Sequence, residues 1–197
     1  METLVAAALG VGLAAAAGLR VFIPLLVLNL ASRFEFVDLA SGLEWVGSTG
    51  ALLAFAVAAV LEVVSYLVPL VDNLLDTIAT PAAAVAGTVM MGAVLVDVGP
   101  FWTWALAIIA GGGTAAIVQG TTVAVRATST ATTAGAANPI VGASESAGSF
   151  GLSVMSIAVP LLAAVMVVAA IAYVLWKVPR LVGRVFRRDR SVEGSKS

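Results

Sequence analysis

The sequence of 197 residues contains neither cysteine nor histidine, and only 11% of its residues are charged. Without cysteine there are no disulfides or thiolate nucleophiles, and without histidine there is no imidazole proton relay; Cys/His zinc sites are excluded as well. Any bound metal ion would therefore be a hard cation held by oxygen ligands. Soluble domains carry about 25% charged residues, so the scarcity of charge also argues against a soluble protein.

Apolar residues are abundant, at 61% of the chain and a mean hydropathy of +1.10. We therefore expect an all-α integral membrane protein, because the bilayer core requires the backbone to satisfy its own hydrogen bonds. A span of the hydrocarbon core takes about 20 apolar residues, so the chain has room for about five transmembrane helices. Prolines and glycines within the apolar runs predict that some of these helices are kinked or broken.

Charge is distributed unevenly along the chain. Through Trp176 there are three basic and nine acidic residues, and seven basic residues follow. Because loops rich in Lys and Arg stay on the cytoplasmic side, we expect a multi-pass protein of the plasma (inner) membrane with a cytoplasmic C-terminus. The chain then divides into a transmembrane helical domain at 1–178 and a basic, disordered tail at 179–197 that attracts anionic lipids. We expect no nucleic-acid partner.

Three carboxylates, Glu62, Asp72 and Asp76, interrupt the apolar runs in the middle of the chain. A charge in hydrocarbon costs several kcal/mol, so such residues face a bundle interior or a wet cavity. Pro69 should break the helix that carries Glu62. Beyond the break, Asp72, Asp76 and Thr80 are spaced by four and share one helical face. The spacing predicts a buried acidic site, in which Asp72 and Asp76 are the candidate ligands of a hard cation.

The apolar run from Leu4 to Leu30 predicts a retained first span. Arg20 lies deep in this run and Pro24 follows it, so we expect the helix to be kinked or discontinuous. Two alternatives exist for Arg20. Its side chain snorkels to the membrane surface, or it pairs with one of the three central carboxylates, which is the alternative we favour.

The stretch 126–149 is rich in Thr, Ser, Ala and Gly and nearly free of charge. It is either a flexible linker or a re-entrant segment whose hydroxyls satisfy irregular backbone within the membrane. The pair Asn138-Pro139 combines an N-cap residue with a favourable first helical residue, and so predicts a short helix that carries Glu145. A final span should run from Leu152 to about Val178.

Small residues recur at intervals of four in several of the apolar runs. Such stripes allow helices to approach closely, so they predict intramolecular packing and a homo-oligomer built on the same faces. They occur at Gly10, Ala14 and Gly18, and at Gly112, Ala116 and Gly120.

Three groups of residues together resemble a known family. They are Gly18-Leu19-Arg20 with Pro24; Glu62 with Pro69, Asp72, Asp76 and Pro81; and Arg126 with the Thr-rich run, Asn138-Pro139 and Glu145. In this combination the chain resembles a family of small bacterial integral membrane proteins that is classified as a domain of unknown function. The resemblance covers roughly 4–178, supports the membrane assignment and the choice of residues, and implies no activity.

Buried carboxylates, arginines and interrupted helices favour a transporter or channel for a cation, or for a small solute coupled to one. We expect no enzymatic activity and no resident cofactor, with Na⁺, H⁺, Mg²⁺ or Ca²⁺ as the coupling ion. The predicted ion- or substrate-binding residues are Glu62, Asp72, Asp76, Arg20, Arg126, Asn138 and Glu145.

Two alternatives belong to other classes. The first is a non-catalytic scaffold or lipid-binding assembly protein whose buried charges are purely structural, since buried ion pairs alone are weak evidence of function. The second is a metal-dependent enzyme that modifies lipids, with Asp72 and Asp76 holding Mg²⁺. The fuller acidic motif of lipid phosphotransferases is absent from the sequence, which weighs against the enzyme.

Overall fold

The computed structural model describes residues 2–65, 69–96 and 98–193, and their side chains at 2–65, 78–96 and 98–177. Every regular element in these ranges is a helix, which confirms the all-α prediction. The elements are α1 (Glu2–Leu19), α2 (Phe22–Arg33), a 3₁₀ turn (Glu44–Gly47), α3 (Thr49–Ser65), α4 (Pro69–Val94), α5 (Pro100–Leu106), a π-helical segment (Ala107–Gly112), α6 (Gly113–Thr133), α7 (Asn138–Ala158) and α8 (Pro160–Glu193).

Three helical stretches in the described ranges are long and apolar enough to cross a membrane, which supports a membrane protein. They are Glu2–Leu19, Pro100–Thr133 and Pro160–Lys177. Three further apolar helical stretches are shorter: Phe22–Arg33, Thr49–Ser65 and Ile78–Val94. The expected number of about five spans stays a prediction.

Helix α1 lies at the centre of the bundle and packs against α4, α6, α7 and α8. Its glycines make this possible, because a Cβ at Gly10 would lie 2.2 Å from the Met91 sulfur and one at Gly18 would lie 2.6 Å from the Ala115 carbonyl oxygen. The small-residue stripe predicted on this helix therefore packs inside the molecule.

The predicted first span, Leu4 to Leu30, is two helices rather than one. The helix ends at Leu19 and α2 begins at Phe22, with Pro24 in the first turn of α2, where a missing N–H costs nothing. Residues at the start of α1 and residues just beyond α2, Phe36 to Asp38, line one cavity of about 600 Å³. The chain therefore reverses direction at Arg20, and α2 returns toward the end of α1 at Glu2.

The second predicted stripe of small residues is only partly a packing face. A Cβ at Gly111 would lie 2.5 Å from the Gly87 carbonyl oxygen, and one at Gly112 would lie 2.6 Å from the Thr88 hydroxyl. The π-helical segment is thus seated directly on α4. A Cβ at Gly120, in contrast, would meet nothing within 4 Å, because this residue lies on an exposed face of α6.

The stretch 126–149 is helical at both ends, so the flexible-linker alternative is wrong, while the re-entrant alternative stays a prediction. Helix α6 continues to Thr133, and left-handed backbone at Ala134 (φ 52°) and Gly135 (φ 85°) turns the chain into α7. The predicted helix carrying Glu145 is confirmed, although Ala137 rather than Asn138 is its N-cap. The Asn138 amide instead donates to the Thr130 hydroxyl.

The predicted span from Leu152 is also wrong at its start. Residue Leu152 lies inside α7, and the chain leaves helical geometry at Val159 before α8 begins at Pro160. Proline disfavours helical backbone at the residue before it, which explains the break. Because α8 remains helical to Glu193, its backbone marks no boundary at residue 178, and the division into domain and tail stays a prediction.

Candidate functional site

Two arginines and one glutamate form a buried charge cluster where α1, α6 and α7 meet. Arg20, Arg126 and Glu145 are exposed by only 1%, 3% and 7%. The Arg126 Nε donates to Glu145 Oε1 at 3.1 Å, and its Nη2 contacts Oε2. The Arg20 Nη2 lies 3.2 Å from the same Oε2. Two guanidinium groups therefore share one carboxylate, whose two oxygens both accept from arginine.

Arg20 is held on α7 by more than its ion pair. Its Nη2 donates to the Gly142 carbonyl oxygen at 2.9 Å, and its Nε donates to the Ser146 hydroxyl at 3.1 Å. The snorkelling alternative is therefore wrong, because the side chain is buried against a neighbouring helix. Among the described side chains, its ion-pair partner is Glu145 on α7 rather than Glu62. Pairing with Asp72 or Asp76 lies outside the described side chains.

Glu62 accepts two backbone hydrogen bonds at the start of α2. One carboxylate oxygen accepts from the Val21 N–H at 2.8 Å and the other from the Phe22 N–H at 3.0 Å. The first N–H groups of a helix have no intrahelical partner, so Glu62 caps α2 from another helix and meets the positive end of its dipole. Arg20 and Arg126 also act on this carboxylate electrostatically.

A cavity of about 250 Å³ adjoins Glu62 between α2, α3 and α4. Most of its wall is apolar, with Glu62 and Ser65 as the polar contributors on α3. The Glu62 carboxylate thus caps α2 and also lines this cavity.

Asp72 and Asp76 lie in the first turns of α4, where helical geometry keeps them on one face with Thr80. Their side chains lie outside the described part of the chain, so the cation site at these residues stays a prediction. Among the described residues, no group of three acidic side chains is placed to hold a metal ion. Asn138 lies in the α6–α7 turn and bonds to Thr130, as given above.

Sequence reasoning missed the serines that continue from Glu145 along α7. Ser149, Ser153 and Ser156 are each fully buried, and they follow Glu145 at intervals of four, four and three residues. This is the spacing of one helical face, so the signal was present in the sequence. It was missed because the stretch 126–149 and the span from Leu152 were interpreted separately, so the helical face that begins at Glu145 was not followed across them.

The family model described as "Domain of unknown function (DUF4126)" matches residues 7–180. The chain belongs to the DUF4126 family. The match confirms the resemblance drawn from the residues and includes Arg20, Glu62, Arg126 and Glu145. No curated protein and no solved structure matches the chain. Membership in DUF4126 assigns no activity, so the function rests on the geometry of the cluster and of the capped helix.

Proposed function

We propose that this DUF4126 protein is a cation-coupled membrane transporter of a small solute, with the proton as its coupling ion. The observation that carries the proposal is the interruption between α1 and α2. The N-terminus of α2 is buried and is capped by a carboxylate from α3, which also lines a cavity. Interrupted helices whose ends bind charged groups at membrane depth are the usual construction of transporter sites.

The proton fits the described carboxylates better than a metal ion does. Both oxygens of Glu145 accept from arginine, and both oxygens of Glu62 accept from backbone N–H groups. A metal ion would need several oxygens free at once, whereas a proton needs only one oxygen. Protonation of Glu62 would remove the negative charge from the helix end and weaken the cap, which links proton binding to the position of α2.

The scaffold alternative is favoured by a separate observation. Glu145 is paired with two buried arginines, and this arrangement fixes α1, α6 and α7 relative to one another. A structural role, in which such buried ion pairs specify one packing of the helices, would be sufficient to explain them. In a scaffold, Glu62 would be a helix cap and nothing more.

The finer localisation also belongs to the proposal. We propose a bacterial inner-membrane protein with the basic C-terminal residues in the cytoplasm, as the distribution of Lys and Arg favours. The acidic residues Glu2, Glu35, Asp38 and Glu44 lie toward the opposite end of α1 from Arg20, which fits an external face for that end.

Proton flux is the direct test. The protein is reconstituted into liposomes that enclose a pH-sensitive dye, and a potassium diffusion potential drives proton entry. We expect flux in the wild type and its loss in Glu62→Gln, because glutamine keeps one acceptor oxygen for the cap and cannot bind a proton. Glu44→Gln is the matched control, since Glu44 is an exposed carboxylate that also accepts from a backbone N–H. Wild-type liposomes that are no more permeable than empty ones would refute proton coupling.

A second measurement addresses the other cations and the predicted ligands Asp72 and Asp76. Melting temperatures of the wild type and Asp76→Asn are compared with and without Na⁺, Mg²⁺ and Ca²⁺. A cation that binds the folded protein raises its melting temperature by mass action. Saturable stabilisation that is lost in Asp76→Asn would assign the coupling ion to that cation instead of the proton. A melt that ignores every cation, together with absent proton flux, would favour the scaffold.

A further inference from the structure

Three buried serines form a straight row of hydroxyls on the face of α7 that packs against α1. Ser149, Ser153 and Ser156 are each 0% exposed, and the row begins one turn beyond Glu145. The face of α1 that meets these serines consists of glycine and alanine. A Cβ at Gly12 would lie 2.1 Å from the Ser156 hydroxyl oxygen. The hydroxyls therefore lie directly against the α1 backbone, and we call this contact the α1–α7 seam.

The hydrogen bonds of the seam do little to keep it closed. Only the Ser149 hydroxyl crosses to α1, where it donates to the Ala16 carbonyl oxygen at 2.9 Å. The Ser153 hydroxyl donates to the Ser149 carbonyl oxygen at 2.7 Å and the Ser156 hydroxyl to that of Leu152 at 2.6 Å, both within α7. Alanine would pack in the same space with a higher helix propensity. Packing thus explains small residues at these positions, but it does not explain hydroxyls at 153 and 156.

The two ends of the row give the hydroxyls a context. At one end the row begins one turn beyond Glu145, whose carboxylate pairs with Arg20 and Arg126. At the other end Ser156 is followed in α7 by Ile157 and Ala158, which line an apolar cavity of about 420 Å³ with Leu30 and Phe34 at the end of α2. The C-terminal end of α2 lies at the opposite end of the bundle from Arg20. The seam therefore connects the charge cluster with the opposite end of the bundle.

We propose that the α1–α7 seam is the path by which the coupling proton moves between the charge cluster and the cavity at the end of α2. The proposal rests on the proton coupling proposed above. When α1 and α7 separate slightly, water enters between them, and the serine hydroxyls bond to that water as both donors and acceptors. Each oxygen accepts one proton and releases another, so no serine changes its charge once the proton has passed. The described charged groups at the cluster end are Arg20 between α1 and α2, Glu62 on α3, Arg126 on α6 and Glu145 on α7. Asp72 and Asp76 belong to the first turns of α4, and their side chains lie outside the described part of the chain.

The absence of cysteine from the chain makes the path directly testable. Ser153→Cys and Ser156→Cys each introduce one thiol of nearly the same size as the hydroxyl. In reconstituted protein under a proton gradient, a charged, water-soluble methanethiosulfonate should modify both thiols. Gly151→Cys is the matched control, because Gly151 is exposed on α7, does not line the cavity at the end of α2, and a Cβ there would meet nothing within 4 Å. We expect modification of the seam thiols to be about tenfold faster than that of the control, since the reaction requires water at the thiol.

The alanine variants measure the hydroxyls themselves. Ser153→Ala and Ser156→Ala should keep or raise the melting temperature and lower proton flux about tenfold or more, as expected when a positioned proton carrier is removed. Seam thiols that react no faster than the control, or alanine variants that carry full flux, would overturn the path while leaving proton coupling in place. Wild-type protein that carries no proton flux would overturn the coupling itself, and the path with it.

Discussion

Glu145→Gln is the substitution that tests the charge cluster most severely. The wild-type carboxylate accepts from Arg126 through both oxygens and pairs with Arg20 at 3.2 Å. Glutamine has nearly the same shape, so the change removes charge and leaves the volume of the side chain intact. Its amide group would point N–H donors at guanidinium groups, which are themselves donors only. Two buried cations would thus lose a carboxylate with which both of them pair.

The magnitude follows from the burial of the three groups. Removing one partner of a buried ion pair lowers the free energy of unfolding by about 3–5 kcal/mol, because the remaining charge is buried away from water. Arg20, Arg126 and Glu145 are all exposed by less than a tenth, so solvent screening reduces this cost little. A loss of this size corresponds to a decrease in melting temperature of about 6–20 °C for a chain of this length.

The assay is thermal unfolding of purified protein in detergent, followed by intrinsic tryptophan fluorescence. Glu2→Gln is the control, since Glu2 is an exposed carboxylate at the start of α1 and its removal should leave the melting temperature nearly unchanged. A second variant replaces Arg20, Arg126 and Glu145 by methionine together. Because an apolar replacement of a whole buried ionic cluster is often neutral or stabilising, this variant should recover most of the lost stability.

Two results would refute the reasoning. The first is Glu145→Gln with the melting temperature of the wild type, which would mean that the cluster is hydrated or that the arginines have other sufficient partners. The second is a triple methionine variant less stable than Glu145→Gln, which would mean that the cluster stabilises the fold by more than its own charge balance.

Three further predictions concern packing and orientation. Gly111→Ala should lower the free energy of unfolding by about 1–3 kcal/mol, because the new methyl would meet a carbonyl of α4 at 2.5 Å; Gly120→Ala, which has open space, should leave it unchanged or raise it. Asn29→Ala should lower the free energy of unfolding by about 1–3 kcal/mol, because the buried Asn29 amide donates to two carbonyl oxygens at the 3₁₀ turn, and these would lose their donor. Chemical denaturation would measure the loss, and an unaltered midpoint would contradict the prediction. A reporter enzyme fused after Ser197 should be active only in the cytoplasm, and activity on the outer side would reverse the proposed orientation.

The sequence located the chemically important residues better than it located their partners. Four charged residues stand out in this apolar chain, because a charge at membrane depth is costly and is usually retained for a role. They are Arg20, Glu62, Arg126 and Glu145. The pairing of Arg20 with Glu145 and the capping of α2 by Glu62 were not predicted, for a single reason. Partnership across helices depends on which helix faces meet, and residues 20 and 145 are brought together only by the packing of α1 against α7.

Local rules were reliable where the backbone alone decides. Pro69, Pro100, Pro139 and Pro160 each lie at or next to the first residue of a helix, as the missing N–H of proline dictates. The same rules gave no warning that α2 turns back beside α1. Pro24 indicates an interruption, but the direction of the chain after an interruption depends on what the next helix can pack against.

The sequence by itself determined that this is a helical membrane protein with buried charge, because scarce charge and long unbroken apolar runs are typical of helices that satisfy their own backbone within a bilayer. Its membership in the DUF4126 family follows from the same residues. Only the tertiary structure decided that Glu145 pairs with both arginines, that Glu62 caps α2, and that three serines lie in line against α1. Each of these contacts joins residues far apart in the chain, and their free energy depends on distances that no local pattern fixes.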